Sequence, residues 1–455
     1  MSASRIDRLS HPRLSHIAAL RPAPGAPARS MTAELPPAAG ALAERLGATI
    51  ESNHYGEHLR LRRWYDRPES CAIDSGALHD GALALLAPGA PPEAADPARW
   101  LFLDTETTGL AGGTGTYAFL VGLAWWEAGG LEVEQLFLRD YSEEHAVLTA
   151  LAGRMTERPV LVTFNGRSFD WPLLETRYRM TRRIEARAPS AHLDLLHPAR
   201  QLWRLKLGSV RLIELERHVL GEIPWKRVDD IPGALIPQAY FDYLHGGAPY
   251  ALEQVFRHNQ MDLRGLAALA VRILQMISQP ETIENDALEL YGLSRLVHRR
   301  GDRGRARCLY ERALGAGLPA EADRAARREL AALAKREGDL PRATSLWEEI
   351  IGETRDGLDA YEQLAIYYEH HARSPWQAQE LSREALAALR QALAAGRIEP
   401  TRYRRMRARL EHRLARLSRT VARAPQALLG AEMRESSRAA RESNKMQEAD
   451  SLKNA

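Results

Sequence analysis

Trp100-Leu101-Phe102-Leu103-Asp104-Thr105-Glu106-Thr107-Thr108-Gly109-Leu110 is the stretch that decides the fold. Its first four residues are uninterrupted apolar, too few for a helix, and read as a buried strand. In a strand, side chains at i and i+2 leave from one face, so Asp104 and Glu106 stand side by side. Two carboxylates that close repel each other, and a divalent cation relieves that repulsion better than a shared proton does at neutral pH. Hard oxygen donors of this kind suit Mg²⁺ or Mn²⁺ rather than zinc. Taken alone the pair is weak, since a solvated strand end also yields Asp-x-Glu.

Outward from this strand the texture is α/β. Tyr117 to Trp126 and Leu131 to Leu138 flank Ala128-Gly129-Gly130, a hairpin signal. Val160-Leu161-Val162-Thr163-Phe164 predicts a second buried strand, with a helix after Pro172 through Tyr178. His192-Leu193-Asp194-Leu195 follows, and helical patterns then run over Leu207 to Leu220, Ile236 to Leu244 and Tyr250 to about Ile277. That order predicts a mixed sheet flanked by helices. Upstream, residues 1–40 are rich in Pro, Ala, Ser and Arg with no apolar period and predict a disordered arm. A short helix over Ala41 to Leu46 and a strand pair around His54 to Tyr65 are expected next. A Pro/Gly/Ala stretch, Ala87 to Pro97, then sets 41–97 apart as a small segment and linker before a main domain at 98–278.

The acidic pair has companions. Phe164-Asn165-Gly166-Arg167-Ser168-Phe169-Asp170 follows a strand, and its turn brings Asp170 back over the sheet edge. His258-Asn259-Gln260-Met261-Asp262 lies in a long helical pattern, where residues four apart share a face, so His258 and Asp262 point at one site. Four carboxylates and a candidate base are what two-metal phosphodiester hydrolysis needs, one ion preparing a hydroxide and the other stabilising the leaving oxygen.

With these residues assembled, the chain resembles DEDD-type 3′–5′ exonucleases. Asp104 to Leu110 is similar to their first motif, Asn165 to Asp170 to the second, and His258 to Asp262 to the third. The fuller pattern adds Trp171-Pro172, His192-Leu193-Asp194-Leu195-Leu196-His197 and Asp230-Ile231-Pro232-Gly233. It resembles the YprB-type ribonuclease H-like domains of bacteria, which often carry tetratricopeptide repeats behind them. The resemblance covers about residues 98–275 and implies a ribonuclease H-like fold. It also implies a 3′–5′ exonuclease with two Mg²⁺ or Mn²⁺ ions on Asp104, Glu106, Asp170 and Asp262, and Thr107 and Leu110 touching the terminal nucleotide. Asn165 and Arg167 are further candidate substrate contacts, Arg167 either meeting a phosphate or standing as a solvated turn residue. One departure concerns His258: it occupies the spacing at which these enzymes carry a tyrosine, one residue closer to the last aspartate than their usual histidine base. Its expected role is to orient or deprotonate the attacking water.

Other features have plainer readings. His192, Asp194 and His197 are read as a strand end rather than a metal site. Gly112, Gly113 and Gly115 lack the Lys-Ser/Thr of a phosphate loop and let the chain turn tightly. At least one of Trp125 and Trp126 belongs to the core. From about Glu281 the chain is helical, and Ala306, Ala343 and Ala378 recur with Tyr310 and Trp347 four residues on and Ala313, Ile350 and Ala385 seven on. Gly301-Asp302 and Gly338-Asp339 mark the turns. This period resembles tetratricopeptide repeats, degenerate in the third copy, and predicts an all-α repeat domain at 283–425 able to take a protein partner; a generic helical bundle is the alternative. Residues 426–455 are expected to be a disordered tail.

Composition sets the limits around this reading. The 455 residues are 27% charged and 45% hydrophobic, which disfavours a wholly disordered or collagen-like chain. No apolar run reaches the roughly 18 residues of a membrane span, and the first twenty residues lack a secretory signal's apolar core. Two cysteines, Cys71 and Cys308, fit a reducing cytoplasm. The net charge of +3 hides a strongly basic stretch: Thr401 to Arg423 has nine arginines against Glu411, a local charge of +8. Tyr403, Met406, Leu410, Leu414, Leu417 and Val421 recur there at helical spacing, so it either caps the repeats or holds a nucleic-acid backbone. The expected substrate is DNA or RNA, undecided between them. Two alternatives to the exonuclease are a nucleic-acid-binding scaffold with little turnover and a structure-specific endonuclease.

Overall fold

Alternation sends the apolar start of β3 (Trp100–Thr107) into two separate cores. Trp100 and Phe102 join one hydrophobic cluster, Leu101 and Leu103 the other. A strand buried on both faces belongs in the interior of a sheet, and β3 lies between β4 (Ala118–Glu127) and β6 (Val160–Thr163). The other strands are β1 (Thr49–Asn53), β2 (Gly56–Asp66), β5 (Gly130–Phe137) and β7 (Ala191–Asp194). Among the residues described by the computed structural model, seven strands form one mixed sheet in the order β1-β2-β5-β4-β3-β6-β7. Those residues are 37–66, 82–109, 115–185, 187–221, 227, 229–280, 286–353 and 357–422. The arm expected at 1–40 (save 37–40), the tail at 426–455, Cys71, Leu110, Gly112, Gly113 and Arg423 lie outside them.

β3, β6 and β7 pair in parallel, so their carboxyl ends open on the same edge, the side on which open α/β sheets gather ligands. Helix α1 (Pro37–Leu46), which starts four residues before the expected helix, and the short α2 (Ala82–Leu86) come first; α3 (Glu144–Glu157) links β5 to β6, and α4 (Asp170–Thr181) links β6 to β7. Trp125 and Trp126 are both core, one in each cluster.

Several expected boundaries shift. The N-terminal strand pair starts earlier, at Thr49, because the hairpin turns just after Asn53. β2 then pairs with β5 from Leu59↔Phe137 to Asp66↔Gly130, so this segment completes the sheet instead of standing apart. The stretch at Ala87 to Pro97 packs as well: Ala94 is buried and the Trp100 indole donates to its carbonyl at 2.8 Å. Helix α4 begins at Asp170, ahead of Pro172, since a proline in the first helical turn forfeits no intrahelical bond. The helix expected over Leu207 to Leu220 starts later, as α6 (Leu212–Val219), because Leu207 ends the preceding α5 (Leu196–Leu207) and the chain turns at Gly208, whose φ of 71° suits glycine. Helices α7 (Ile236–Leu244) and α8 (Tyr250–Ser278) fall where expected.

The C-terminal helices pair as α9 (Ala287–Arg299) with α10 (Arg303–Gly315), α11 (Ala320–Glu337) with α12 (Leu340–Glu353), and α13 (Leu358–His370) with α14 (Pro375–Ala394). All the repeating positions from Ala306 to Ala385 are buried. Gly301 and Gly338 have φ of 93° and 83°, and the next residues, Asp302 and Asp339, accept the amides of Arg305 and Arg342 to cap α10 and α12. A last helix, α15 (400–422), buries Met406, Leu410 and Leu417. Its Arg402, Arg409, Arg413 and Arg416 pair with Asp359, Glu362 and Glu369 of α13, so these four arginines face the array. Among the described residues, no helix is long and apolar enough to cross a membrane.

Candidate active site

β3 stays extended past its buried half, and burial relaxes from Leu103 to Asp104. Asp104 and Glu106 leave from the face of Trp100 and Phe102, while Thr105 leaves from the other. The β3–β4 register slips between Glu106 and Thr107, an irregularity of the kind that re-aims side chains beside active sites. Thr105 clasps the third carboxylate: its hydroxyl donates to Asp170 Oδ1 at 2.6 Å and its amide to the same oxygen at 3.1 Å. Asp170 is the first residue of α4, where the helix dipole favours a negative charge.

The loop that delivers Asp170 is held by Asp194 at the end of β7. This buried carboxylate accepts the amides of Asn165 (2.8 Å), Arg167 (3.1 Å) and Leu196 (3.1 Å). Asn165 sits at φ 72°, and Gly166 packs so tightly that a Cβ would meet Thr163 Cβ at 2.5 Å. His192 Nε2 lies 2.8 Å from the Thr163 hydroxyl, and burial, then Arg167, pushes its pKa down to about 4. The His192–Asp194 pair therefore builds the loop, as a strand end does. The Arg167 guanidinium turns back to the His192 carbonyl. The Thr107 hydroxyl donates to the Gly109 carbonyl at 2.9 Å. Neither side chain bonds to the carboxylates.

Helix α8 supplies the rest. His258 Nδ1 lies 2.7 Å from Asp230 Oδ1, and its Nε2 lies 3.5 Å from Asp262 Oδ2. Asn259, fully buried, donates to Asp104 Oδ2 at 2.8 Å and accepts from Gln135 at 2.8 Å. Gln135 accepts from Gln260, and Gln260 from the hydroxyl of Tyr65, over whose ring the Arg264 guanidinium stacks at 4.0 Å. Gly122 of β4 makes room for this, since a Cβ there would meet Asn259 Oδ1 at 2.1 Å. Arg227 is the other addition. It grips Glu216 with two nitrogens (2.6 and 2.7 Å), reaches Asp230 Oδ2 at 3.0 Å, and donates to Asp262 Oδ1.

Asn259, Asp230, Arg227, Glu216 and Gln135 were not among the expected site residues. Asn259 had a signal: it is the one polar position on the stripe Leu252, Val255, Phe256, Leu263, Leu266. Asp230 stood in a motif without an assigned role. Arg227 had none, being 35 residues from Asp262 in an aperiodic segment.

Electrostatics follow from this crowding. Burial, then Asp262, Glu106 and Asp170, raise the Asp104 pKa well above the ordinary carboxylate range. Burial pushes Glu106 up to about 8, with His258 pulling back, and burial also raises Asp170. Burial alone would lower His258, but Asp262, Glu106 and Asp230 together raise it, favouring an imidazolium. Among the described residues no Lys, Arg or His forms an ion pair with Asp104, Glu106 or Asp170. Nor are any three His, Cys, Asp or Glu side chains there already drawn around one ion. The donor set still fits hard divalent cations by its chemistry: clustered carboxylate oxygens, excess negative charge, and pKa values that only an added cation or protons would settle.

A sequence profile of the RNase_H superfamily matches residues 101–274, the span from the first apolar residues of β3 to the last turn of α8. The chain is also 31% identical over 289 residues to the "Uncharacterized protein YprB" of Bacillus subtilis (strain 168), covering 63% of this chain and 68% of that relative. Ribonuclease H-like nucleases generally use divalent metals such as Mg²⁺.

Proposed function

Since the chain belongs to the YprB family, with a ribonuclease H-superfamily domain, we propose that it is a metal-dependent nuclease, specifically a 3′–5′ exonuclease of the DEDD type. The observation that carries this reading is the convergence of Asp104, Glu106, Asp170 and Asp262, three of them without an ion-pair partner among the described residues. These four would hold two Mg²⁺ or Mn²⁺ ions. When bound, such ions lower the pKa of an attacking water and neutralise charge at the scissile phosphate.

The chain's own groups do the positioning. Asn259 and Thr105 fix the carboxylates of Asp104 and Asp170 so that each leaves an oxygen toward the site. Asp230 orients His258 through Nδ1, leaving Nε2 to accept the water's proton once the imidazole is neutral. Thr107, Leu110, Asn165 and Arg167 are the proposed contacts to the terminal nucleotide, Arg167 by releasing the His192 carbonyl. The C-terminal hairpins are proposed as tetratricopeptide-like repeats serving a protein partner, and Cys308, a free exposed thiol, suits a cytoplasmic setting.

A Mn²⁺-supplemented panel of end-labelled DNA and RNA, linear and circular, single and double stranded, tests the reading. The exonuclease releases mononucleotides from 3′ ends and spares circles. Cut circles would instead identify an endonuclease, and binding without turnover a scaffold.

A further inference from the structure

Asp262 has both oxygens turned toward nitrogens of the protein itself: Oδ1 toward the Arg227 guanidinium and Oδ2 toward His258 Nε2, 3.5 Å away. Arg227 is not a loose surface side chain. Its guanidinium is 9% exposed and is anchored by the nearly buried Glu216 and by Asp230, and it carries a third carboxylate beyond those two. A guanidinium is a permanent cation whose planar fork can serve several carboxylates together. The same Asp230 holds His258, so the arginine and the histidine share one support.

We propose that Arg227 is a built-in counter-cation that occupies Asp262 in the metal-free protein and must release it before the fourth carboxylate can ligate metal. Arg227 is thus a positioning residue that sets how tightly, and in what order, the site takes divalent ions. The inference rests on the metal-dependent reading of the site. Asp104, Glu106 and Asp170, which lack such a partner among the described residues, would load first, and the Asp262 side would load in competition with Arg227. Glu216 keeps the released guanidinium beside the site, because its two bonds to Arg227 do not involve Asp262.

Titration calorimetry with Mn²⁺ on the full chain, paired with melting curves, tests this. Arg227→Gln should bind Mn²⁺ about tenfold tighter than wild type and gain more in melting temperature on metal addition. Its metal-free form should melt lower, because Glu216 and Asp230 lose their cation. Adding Asp262→Asn to Arg227→Gln should abolish the gain in affinity, an effect a merely structural arginine would not produce. Arg227→Lys keeps the charge but not the fork, so it should fall between the two and decides the question by itself if the glutamine variant does not fold. Equal or weaker metal binding by these variants overturns the proposal while leaving the metal site standing, provided wild type binds Mn²⁺ and Asp262→Asn weakens it. Absence of binding in wild type and in both arginine variants overturns the metal reading as well.

Discussion

Asn259 makes its contribution by a single amide spanning the half-buried Asp104 and the buried Gln135. Asn259→Leu keeps the branched shape at a larger volume and strips Asp104 Oδ2 of its donor, so a loss of about 1–3 kcal/mol in stability is expected by denaturant unfolding, with metal binding weakened as Asp104 swings. A neutral outcome in both would show that the amide positions nothing. Glu106 gives a pH signature. Its folded pKa of about 8 lies above the ordinary 4.5, so the folded state binds more protons than the unfolded state between those values. Stability from this group is therefore present below the unfolded value and lost as the pH rises through about 8. The metal-free Glu106→Gln variant should melt at the wild-type temperature near pH 4, then increasingly above it up to about pH 8, by a few degrees. A gap that closes with rising pH contradicts the assignment. That Asp104 and Glu106 share a face and that His258 and Asp262 share another was legible from strand and helix periodicity, whereas Asp170 was placed by the turn that follows a strand. Arg227 was not, because its place depends on three carboxylates brought together only by the fold.

At the level of elements, the repeated turns show how one solution is kept or lost. Gly301 and Gly338 adopt positive φ in open space, so any side chain there meets only the backbone penalty. Arg373 stands five residues before Ala378, as those glycines stand before Ala306 and Ala343, and has φ of 51°. The third copy thus passes through positive φ at the same place with a residue that carries a Cβ, a strain of about 1 kcal/mol. Arg373→Gly should stabilise by about 0.5 kcal/mol, and Gly338→Ala should destabilise by about 1 kcal/mol, in equilibrium unfolding. Opposite signs would mean that the turns are not equivalent. Periodicity revealed these helices and the sheet strands. It set the start of α6 five residues early, since the apolar spacing runs back through the turn at Gly208, and it missed the membership of β2, because pairing with β5 is a non-local choice that only the assembled sheet makes.

Across the whole molecule the α/β unit and the helical hairpins share one apolar core: Leu202 and Trp203 of α5 pack with Leu290 and Leu293 of α9. The contact is close enough that a Cβ on Gly292 would stand 2.6 Å from the Leu202 carbonyl. Since backbone cannot yield as a side chain tip does, Gly292→Ala should cost about 1–3 kcal/mol and lower the melting of the whole chain. An unchanged melting curve would show that the two parts meet loosely. The net charge of +3 resolves on this scale into a basic final helix, four of whose arginines pair with α13, and an acidic cluster at the sheet's edge. The central claim is that this cluster hydrolyses phosphodiester bonds with bound divalent ions. Its most direct test is Mn²⁺-dependent release of mononucleotides from a 3′-end-labelled strand by wild type and by Asp104→Asn. Wild type should turn over and lose that activity on chelation, and the variant should lose about 10³-fold or more at an undiminished melting temperature. Equal turnover by the two proteins, or none by wild type with either metal on any strand, would contradict the claim.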